Sequence, residues 1–113
     1  METIPFSTFS SIEMRVGRVV SVDDFPEARK PAYKLVVDFG DEIGVKQSSA
    51  QVTKRYSKEA LVGRLVLAVV NFAPKQIGPF LSECLILGVP DEQGDVALLS
   101  VDADGVPLGP RVF

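Results

Sequence analysis

The sequence is poor in the residues on which most catalytic and metal sites depend. It contains no histidine and no tryptophan, and Cys84 is its one cysteine. Without histidine the chain lacks the commonest general base and the commonest transition-metal ligand, and one thiol cannot supply a zinc site. An internal disulfide is impossible, which is typical of a protein from a reducing compartment. The sequence therefore predicts no metal and no cofactor, and it favours a cytoplasmic location.

Long hydrophobic runs are also missing. The longest, Leu65–Val70, is too short to span a bilayer, and residues 1–15 carry Glu2 and Glu13 instead of a basic start followed by an apolar stretch. We therefore expect no membrane insertion and no signal peptide. The 113 residues, 46% of them hydrophobic, suffice for a single domain over residues 1–113 with a real core.

Charge is distributed unevenly along the chain. The net charge is −3, yet residues 29–75 alone carry +5 and residues 76–113 carry −5. This division indicates a basic region on an otherwise acidic surface, which can orient an anionic partner. Ordinary solvated polar faces would give the same counts, so charge alone leaves both interpretations open.

Alternating apolar and polar residues predict an all-β fold. Ile12–Val22 and Tyr33–Phe39 alternate as half-buried strands do, and Gly17 marks a bend within the first of them. Gly40-Asp41-Glu42 supplies a reversal into a third strand over Ile43–Val52. The first three strands therefore form a meander.

A short helix is predicted after the third strand. Ser57 can cap the helix Lys58–Leu61, and Gly63 suits the left-handed position that ends it. The rest of the chain predicts three more strands, over Leu65–Phe72, Leu81–Val89 and Val96–Val101. A loop over Ala73–Phe80 separates the first two of these strands, and the acidic turn Pro90–Asp95 separates the last two. This order matches a five-stranded OB-fold barrel with a short helix between strands 3 and 4 and with N- and C-terminal extensions. A β-sandwich is the alternative, but the position of the lone helix favours the barrel.

No group of residues is suited to catalysis. Cys84 has no imidazole to activate it, and its apolar neighbours favour a thiol buried in the core. The acidic pairs Asp23-Asp24, Asp41-Glu42 and Asp91-Glu92 lie at predicted turns, where carboxylates cap backbone groups. The glycines are scattered singly and form no phosphate-binding loop. The sequence therefore predicts a binding protein and no enzyme.

Three segments carry residues suited to binding. Residues 25–33 mix aromatic and basic side chains, Ser48–Gln51 ends the third strand with small polar groups, and Asn71–Gln76 joins the fourth and fifth strands. In an OB barrel the two loops among them border the usual binding face. The alternative is that they are two ordinary loops and a polar strand end.

The same segments resemble a known family. Arg15-Val16-Gly17, Phe25–Leu35, Ser48–Gln51 and Val70–Glu83 are similar, in order and spacing, to the EMAP II-type tRNA-binding domain, and within it to CsaA-type protein-export chaperones. The resemblance covers essentially the whole chain. It implies an OB fold, a homodimer, and binding of unfolded preproteins or peptides in the bacterial cytosol in support of their export, with the export machinery as a further partner.

The chain departs from the tRNA-binding relatives where charge matters. Those relatives carry a His-Pro start and an aspartate before the second strand, where this chain has Phe25-Pro26 and Arg29–Ala32. Their loop before the fifth strand is more basic, whereas Lys75 here lies almost alone among uncharged residues. Because affinity for nucleic acid depends on phosphate neutralisation, fewer cations weaken it. Peptide binding is therefore the first hypothesis and tRNA binding the second.

The peptide hypothesis assigns three roles to side chains on this face. Aromatic groups supply apolar contact, cations attract acidic or C-terminal groups, and polar groups hydrogen-bond the peptide backbone. The aromatic groups are Phe25, Tyr33 and Phe72, and the cations are Arg29, Lys30, Lys34 and Lys75. The polar groups are Ser48, Ser49, Gln51, Asn71, Ser82 and Glu83. The parity of Tyr33 with Leu35 also allows a place in the core.

The tRNA hypothesis uses the same face differently. Cations would neutralise phosphates while Phe72 or Tyr56 stacks on a base. The cations concerned are Arg29, Lys30, Lys46, Lys54, Arg55 and Lys75.

The terminal segments hold apolar residues that a small, already filled barrel has no room to bury. They are Ile4, Phe6, Phe9, Val101, Val106, Leu108, Val112 and Phe113. Left exposed, they would form a patch of the kind that soluble monomers avoid. A two-fold interface that pairs N- and C-terminal segments across subunits would cover them. We therefore expect a homodimer with both binding faces open; the alternative is that each tail folds over its own barrel.

Overall fold

Short β-strands dominate the structure, a computed structural model that describes residues 1–102 and 104–113. The strands are β1 (Met14–Asp24), β2 (Tyr33–Asp38), β3 (Val45–Ala50), β4 (Leu65–Val69), β5 (Lys75–Ile77), β6 (Phe80–Ser82), β7 (Leu85–Ile86), β8 (Gly88–Pro90) and β9 (Val96–Leu98). The helices are α1 (Phe6–Ser10), α2 (Gly40–Ile43) and α3 (Lys58–Leu61). None of these helices is long and apolar enough to cross a membrane.

Five antiparallel strands form a nearly closed barrel. Their order in the sheet is β3-β2-β1-β4-β7, and hairpins β5–β6 and β8–β9 are attached to it. The barrel closes where the backbone N–H of Glu83 donates to the carbonyl oxygen of Gln47 at 2.8 Å. This is the OB fold that the strand pattern predicts.

The long strand β1 serves two neighbours because it bends. Its first half pairs with β4 and its second half with β2, and the register with β2 shifts between Val19 and Ser21. A Cβ at Gly17 would lie 2.6 Å from Cγ1 of Val37, so only glycine allows the two strands to approach this closely. At the predicted bend, Gly17 therefore leaves room for the side chains of Val37 and Phe39 to pack against the backbone of β1.

The interior is filled by the alternating residues of β2 and by the apolar run of β4. Leu35, Val37 and Phe39 are completely buried, and Val66 and Ala68 are buried from the other side. Helix α3 contributes Leu61, which is fully buried; such a side chain stabilises the fold by about 1.5–3 kcal/mol. The Ser57 hydroxyl caps this helix by accepting from the N–H of Ala60 at 3.1 Å, as predicted.

The C-terminal half is more broken than the sequence predicts. The loop predicted over Ala73–Phe80 contains β5, and the strand predicted over Leu81–Val89 is divided among β6, β7 and β8. The division occurs because Glu83 bonds to β3 whereas Leu85 pairs with β4. One straight strand cannot bond to both β3 and β4 within three residues, so the chain bends here as it closes the barrel. The predicted reversal at Gly40–Glu42 is the short helix α2, and α1 was not predicted.

The C-terminal segment docks on its own barrel through its backbone. The N–H groups of Gly109 and Val112 donate to the carbonyl oxygens of Val16 and Met14 at 2.9 and 2.8 Å. Its apolar side chains gain less cover: Phe113 is fully exposed, as Ile4 and Phe6 largely are at the other end of the chain. The tail thus pairs with β1 while much of the terminal apolar surface stays uncovered.

Candidate functional site

Four adjoining cavities form a continuous groove on one side of the barrel. They lie among the β1–β2 loop, the end of β3, the β5–β6 hairpin and β9. The cavities share their lining, since Lys75 and Gln51 each contribute to three of them and Ser49 to two. We call this surface the grooved face.

One half of the grooved face is apolar. Its first cavity, of about 210 Å³, is lined by Phe72, Ala73, Lys75, Ser82, Glu83, Cys84 and Leu85. The second, of about 380 Å³, adds apolar residues that include Ala50, Val52, Ile77, Ile86, Val96 and Leu98. Phe72 is 55% exposed and Leu85 is 49% exposed although both are apolar. Exposed apolar groups around a concavity offer contact area to an apolar ligand group.

The other half of the grooved face is basic. A cavity of about 340 Å³ is lined by Arg29, Lys30 and Lys75 together with small and polar residues, and no acidic residue lines it. Within residues 1–102 and 104–113, these three cations take part in no ion pair. The next cavity, of about 220 Å³, adds Lys54 but also Asp95. Unpaired cations in a concave site attract an anionic group.

The floor of the groove is the seam that closes the barrel, and its polar groups are already engaged. The carboxylate of Glu83 accepts from the backbone N–H of Gln47 at 3.0 Å. Ser48 is 1% exposed, and its hydroxyl donates to the carbonyl oxygen of Cys84 at 2.9 Å. The hydroxyl of Ser82 accepts from the N–H of Ser49 at 3.3 Å. Because these groups already have hydrogen-bond partners within the chain, they hold the shape of the groove and leave few hydrogen bonds for a ligand.

Two of the aromatic residues predicted to contact a ligand are buried. Phe25 is 4% exposed, its ring lies 5.3 Å from that of Phe80, and Nζ of Lys34 lies 5.7 Å from its centre. Tyr33 is 9% exposed, and its hydroxyl donates to the carbonyl oxygen of Tyr56 at 2.9 Å. Phe25 packs within the β1–β2 loop and Tyr33 in the barrel core, so Phe72 is the aromatic ring of the three that the groove offers.

The structure brings together most of the residues proposed from the sequence. Those that line the grooved face are Arg29, Lys30, Ser49, Gln51, Phe72, Lys75, Ser82 and Glu83. Those that line none of the four cavities, through burial or through other contacts, are Phe25, Tyr33, Lys34, Asn71 and Ser48, the last of which is buried beneath the groove floor. Asn71 uses its amide to hold the N-terminal segment: its nitrogen donates to the carbonyl oxygen of Ser11 at 2.9 Å, and its oxygen accepts from the N–H of Glu13 at 3.0 Å.

Sequence reasoning missed the apolar wall of the groove. Ile77, Leu85 and Val96 line it, but in the sequence they belong to apolar strands or loops with no sign that one face is uncovered. The uncovered apolar face becomes visible only in the folded barrel. It lies where the chain passes from β6, which pairs with β5, to β7, which pairs with β4. Cys84 is 7% exposed beneath the same wall, as expected of a core thiol. Burial raises the pKa of its thiol to about 11, so it is inert near neutral pH.

Four of the six cations of the tRNA hypothesis line the groove, namely Arg29, Lys30, Lys54 and Lys75, and Phe72 lies there as well. The other residues of that hypothesis lie elsewhere. Arg55 pairs with Asp91 at 3.1 Å, and Lys46 lines none of the four cavities. The guanidinium of Arg64 covers one face of the Tyr56 ring at 5.0 Å from its centre. Within the described residues no group of acidic or thiol side chains is arranged to hold a metal ion.

Comparison with known proteins agrees with this fold. A family model described as a putative tRNA-binding domain matches residues 14–110. The crystal structure of the CsaA chaperone protein from Picrophilus torridus is 49% identical, with a TM-score of 0.91, over 98% of this chain and 100% of that one. The chaperone CsaA from Bacillus anthracis is 46% identical, with a TM-score of 0.90, over 99% of this chain and 100% of that one.

A further relative is a much longer protein. The methionine–tRNA ligase of Methanocaldococcus jannaschii is 40% identical over 112 residues, which make up 99% of this chain and 17% of the ligase. The chain thus spans about one sixth of the length of the curated relatives it matches. The family model, the barrel and the relatives agree, and the chain belongs to the family of putative tRNA-binding domains.

Proposed function

We propose that this protein is a molecular chaperone that binds unfolded preprotein or peptide segments on the grooved face and supports their export. The observation that carries the proposal is the apolar half of the groove, where Phe72 and Leu85 remain about half exposed around two cavities. A partner that unfolds or has not yet folded presents the apolar side chains that would fill them. The likeness to CsaA chaperones over nearly the whole chain supports the same function.

The proposed contacts divide between the two halves of the groove. Phe72 and Leu85 contact apolar side chains, while Arg29, Lys30 and Lys75 attract acidic or C-terminal groups. Gln51 is exposed and lines three cavities, so its amide can hydrogen-bond an extended backbone. The cytosol, where such clients are made, is the compartment that fits this role.

A paired substitution tests the assignment. The variant Arg29→Ala with Phe72→Ala removes one cation and one apolar ring from the groove. We expect it to fold normally, because both side chains are exposed, and to lose at least about tenfold in affinity for a chemically unfolded polypeptide. Affinity is measured by fluorescence anisotropy, and folding by urea denaturation.

The matched control is Arg18→Ala with Val89→Ala. It likewise removes one cation and one exposed apolar side chain. Val89 is 50% exposed, close to the 55% of Phe72, but neither Arg18 nor Val89 lines the groove. The control should bind as the unaltered chain does. Unaltered affinity in the Arg29 and Phe72 variant would show that clients bind elsewhere.

A tRNA-binding role is the second candidate, favoured by the family and by the basic half of the groove. Arg29, Lys30, Lys54 and Lys75 could neutralise phosphates there. This is a small set for a nucleic-acid site, since affinity depends on the number of phosphates neutralised. The two roles differ in their dependence on salt.

We further propose that the protein acts as a homodimer. Ile4 is 64% exposed, Phe6 is 76% exposed and Phe113 is fully exposed, and these residues lie on segments that Arg111 ties together through Glu13 at 3.2 Å. A two-fold contact through this surface would cover them and leave the grooved face open. Light scattering at micromolar concentration should give the mass of a dimer, and a monomer mass would reject this proposal.

A further inference from the structure

The grooved face is polarised along its length, and this polarity carries an inference about its clients. The two apolar cavities lie on one side, and the cavity lined by Arg29, Lys30 and Lys75 adjoins them. Because Lys75, Gln51 and Ser49 line cavities of both kinds, a single short segment of extended chain can occupy both halves at once.

The cations of the basic half have no carboxylate partner at salt-bridge distance among residues 1–102 and 104–113. No acidic residue lines the cavity of Arg29, Lys30 and Lys75. Two acidic residues line other parts of the groove. Glu83 lies in the apolar half, where its carboxylate accepts a hydrogen bond from the backbone N–H of Gln47. Asp95 lines only the outermost cavity, beside Lys54. An incoming cation would therefore meet three cations and no carboxylate in this cavity.

We infer that the grooved face selects apolar segments flanked on one side by acidic residues and discriminates against apolar segments flanked by lysine or arginine. This inference rests on the proposed chaperone function and narrows its substrate class. Acidic groups beside Arg29 and Lys30 gain Coulombic attraction, whereas basic groups at the same place are repelled.

This charge preference distinguishes the export signal of a preprotein from its mature part. An export signal begins with a basic region that is followed directly by an apolar stretch. That arrangement places cations where the groove is already positive. The segments that fit are acid-flanked apolar stretches of the mature part of the client, and the signal is left free for other partners.

Three labelled peptides test this directly. They share one apolar core and blocked ends, and they differ only in a flanking pair, which is Glu-Glu, Gln-Gln or Lys-Lys. Anisotropy titrations with the full chain at low salt should rank affinity in that order. The Glu-Glu peptide should bind about fivefold more tightly than the Gln-Gln peptide, because an exposed charge pair contributes only modestly to affinity. This difference should shrink as the salt concentration is raised.

Variants locate the preference. In Arg29→Gln with Lys30→Gln the three affinities should converge. The control Arg18→Gln with Lys58→Gln removes the same total charge, from positions that line none of the four cavities, and should keep the ranking.

Each other outcome overturns the inference in a distinguishable way. Equal affinities, or tightest binding of the Lys-Lys peptide, overturn the charge preference while leaving chaperone function intact. Persistence of the ranking in the Arg29 and Lys30 variant shows that the preference comes from another surface. If none of the peptides binds, the proposed function fails together with the inference.

Discussion

Glu83 and Gln47 close the barrel with a reciprocal pair of hydrogen bonds. The backbone N–H of Glu83 donates to the carbonyl oxygen of Gln47 at 2.8 Å, and the N–H of Gln47 donates to the Glu83 carboxylate at 3.0 Å. The side-chain amide of Gln47 adds a bond to the carbonyl oxygen of Leu81 at 2.8 Å. The seam thus depends on side chains where a regular ladder would use backbone alone, and it forms the floor of the grooved face.

Removal of the Glu83 carboxylate should weaken the seam. The variant Glu83→Ala leaves the N–H of Gln47 without its partner, and we expect a loss of about 1–2 kcal/mol in the free energy of unfolding, measured in urea. The control Glu92→Ala removes an exposed carboxylate from the β8–β9 turn and should change stability by no more than about 0.5 kcal/mol. Equal stabilities for the two variants would mean that Glu83 has no part in closing the barrel.

Acid should loosen the attachment of the chain termini. The hydrogen bond from Arg15 lowers the pKa of Glu13 below its ordinary value of 4.5, against the effect of burial, and the charges of Arg111 and Arg15 add to the lowering. Because the folded-state pKa is the lower one, the stabilisation is complete above about pH 4.5 and is lost as pH falls through the lowered value.

This linkage is measured by comparing Glu13→Gln with the unaltered chain. At about pH 7 the variant should unfold at lower urea concentration, and the difference should vanish in strong acid, where Glu13 is protonated in both states. Glu2→Gln, at an exposed position in the same segment, is the control and should show no such pH dependence. A difference that stays constant into acid would contradict the role of the Glu13 carboxylate.

The Cys84 thiol should react slowly in the folded protein. Burial raises its pKa from 9.0 to about 11, so at about pH 8 the thiolate is roughly a hundredfold scarcer than in an unfolded chain. Modification by a thiol reagent should therefore be at least about a hundredfold slower without urea than with it. Similar rates in both conditions would show that the groove floor is open.

Since the raised pKa favours the neutral thiol, its contribution to stability is present below pH 9 and declines as pH rises towards 11.

The fold was largely predictable because its signals are local. The alternation in β2, the apolar run of β4, the Ser57 cap and the close approach at Gly17 each follow from residues within one short stretch, and the structure contains all four. Cys84 was likewise placed in the core from its neighbours alone. What these signals do not encode is the closure of the barrel, which joins residues such as Gln47 and Glu83 that are distant in sequence.

The location of the proposed residues followed from the sequence more closely than the direction of their side chains. The loops of the OB barrel placed Arg29, Phe72 and Lys75 on one surface, as expected. Whether an aromatic ring points into the loop or out of it depends on its packing partner. Phe25 turns inward because Phe80 and Lys34 meet it there, and no periodicity in the sequence reveals such a contact.

The salt dependence of binding tests the central claim most directly. The full chain is titrated with a chemically unfolded polypeptide and, separately, with tRNA at about 50 and 200 mM salt. If apolar contact in the groove dominates, polypeptide affinity should fall by no more than a few-fold, whereas three or four phosphate contacts would cost tRNA about a hundredfold. Tight polypeptide binding that survives the higher salt supports the chaperone account. A chain that binds tRNA but not the polypeptide, or that loses both equally steeply, would contradict it.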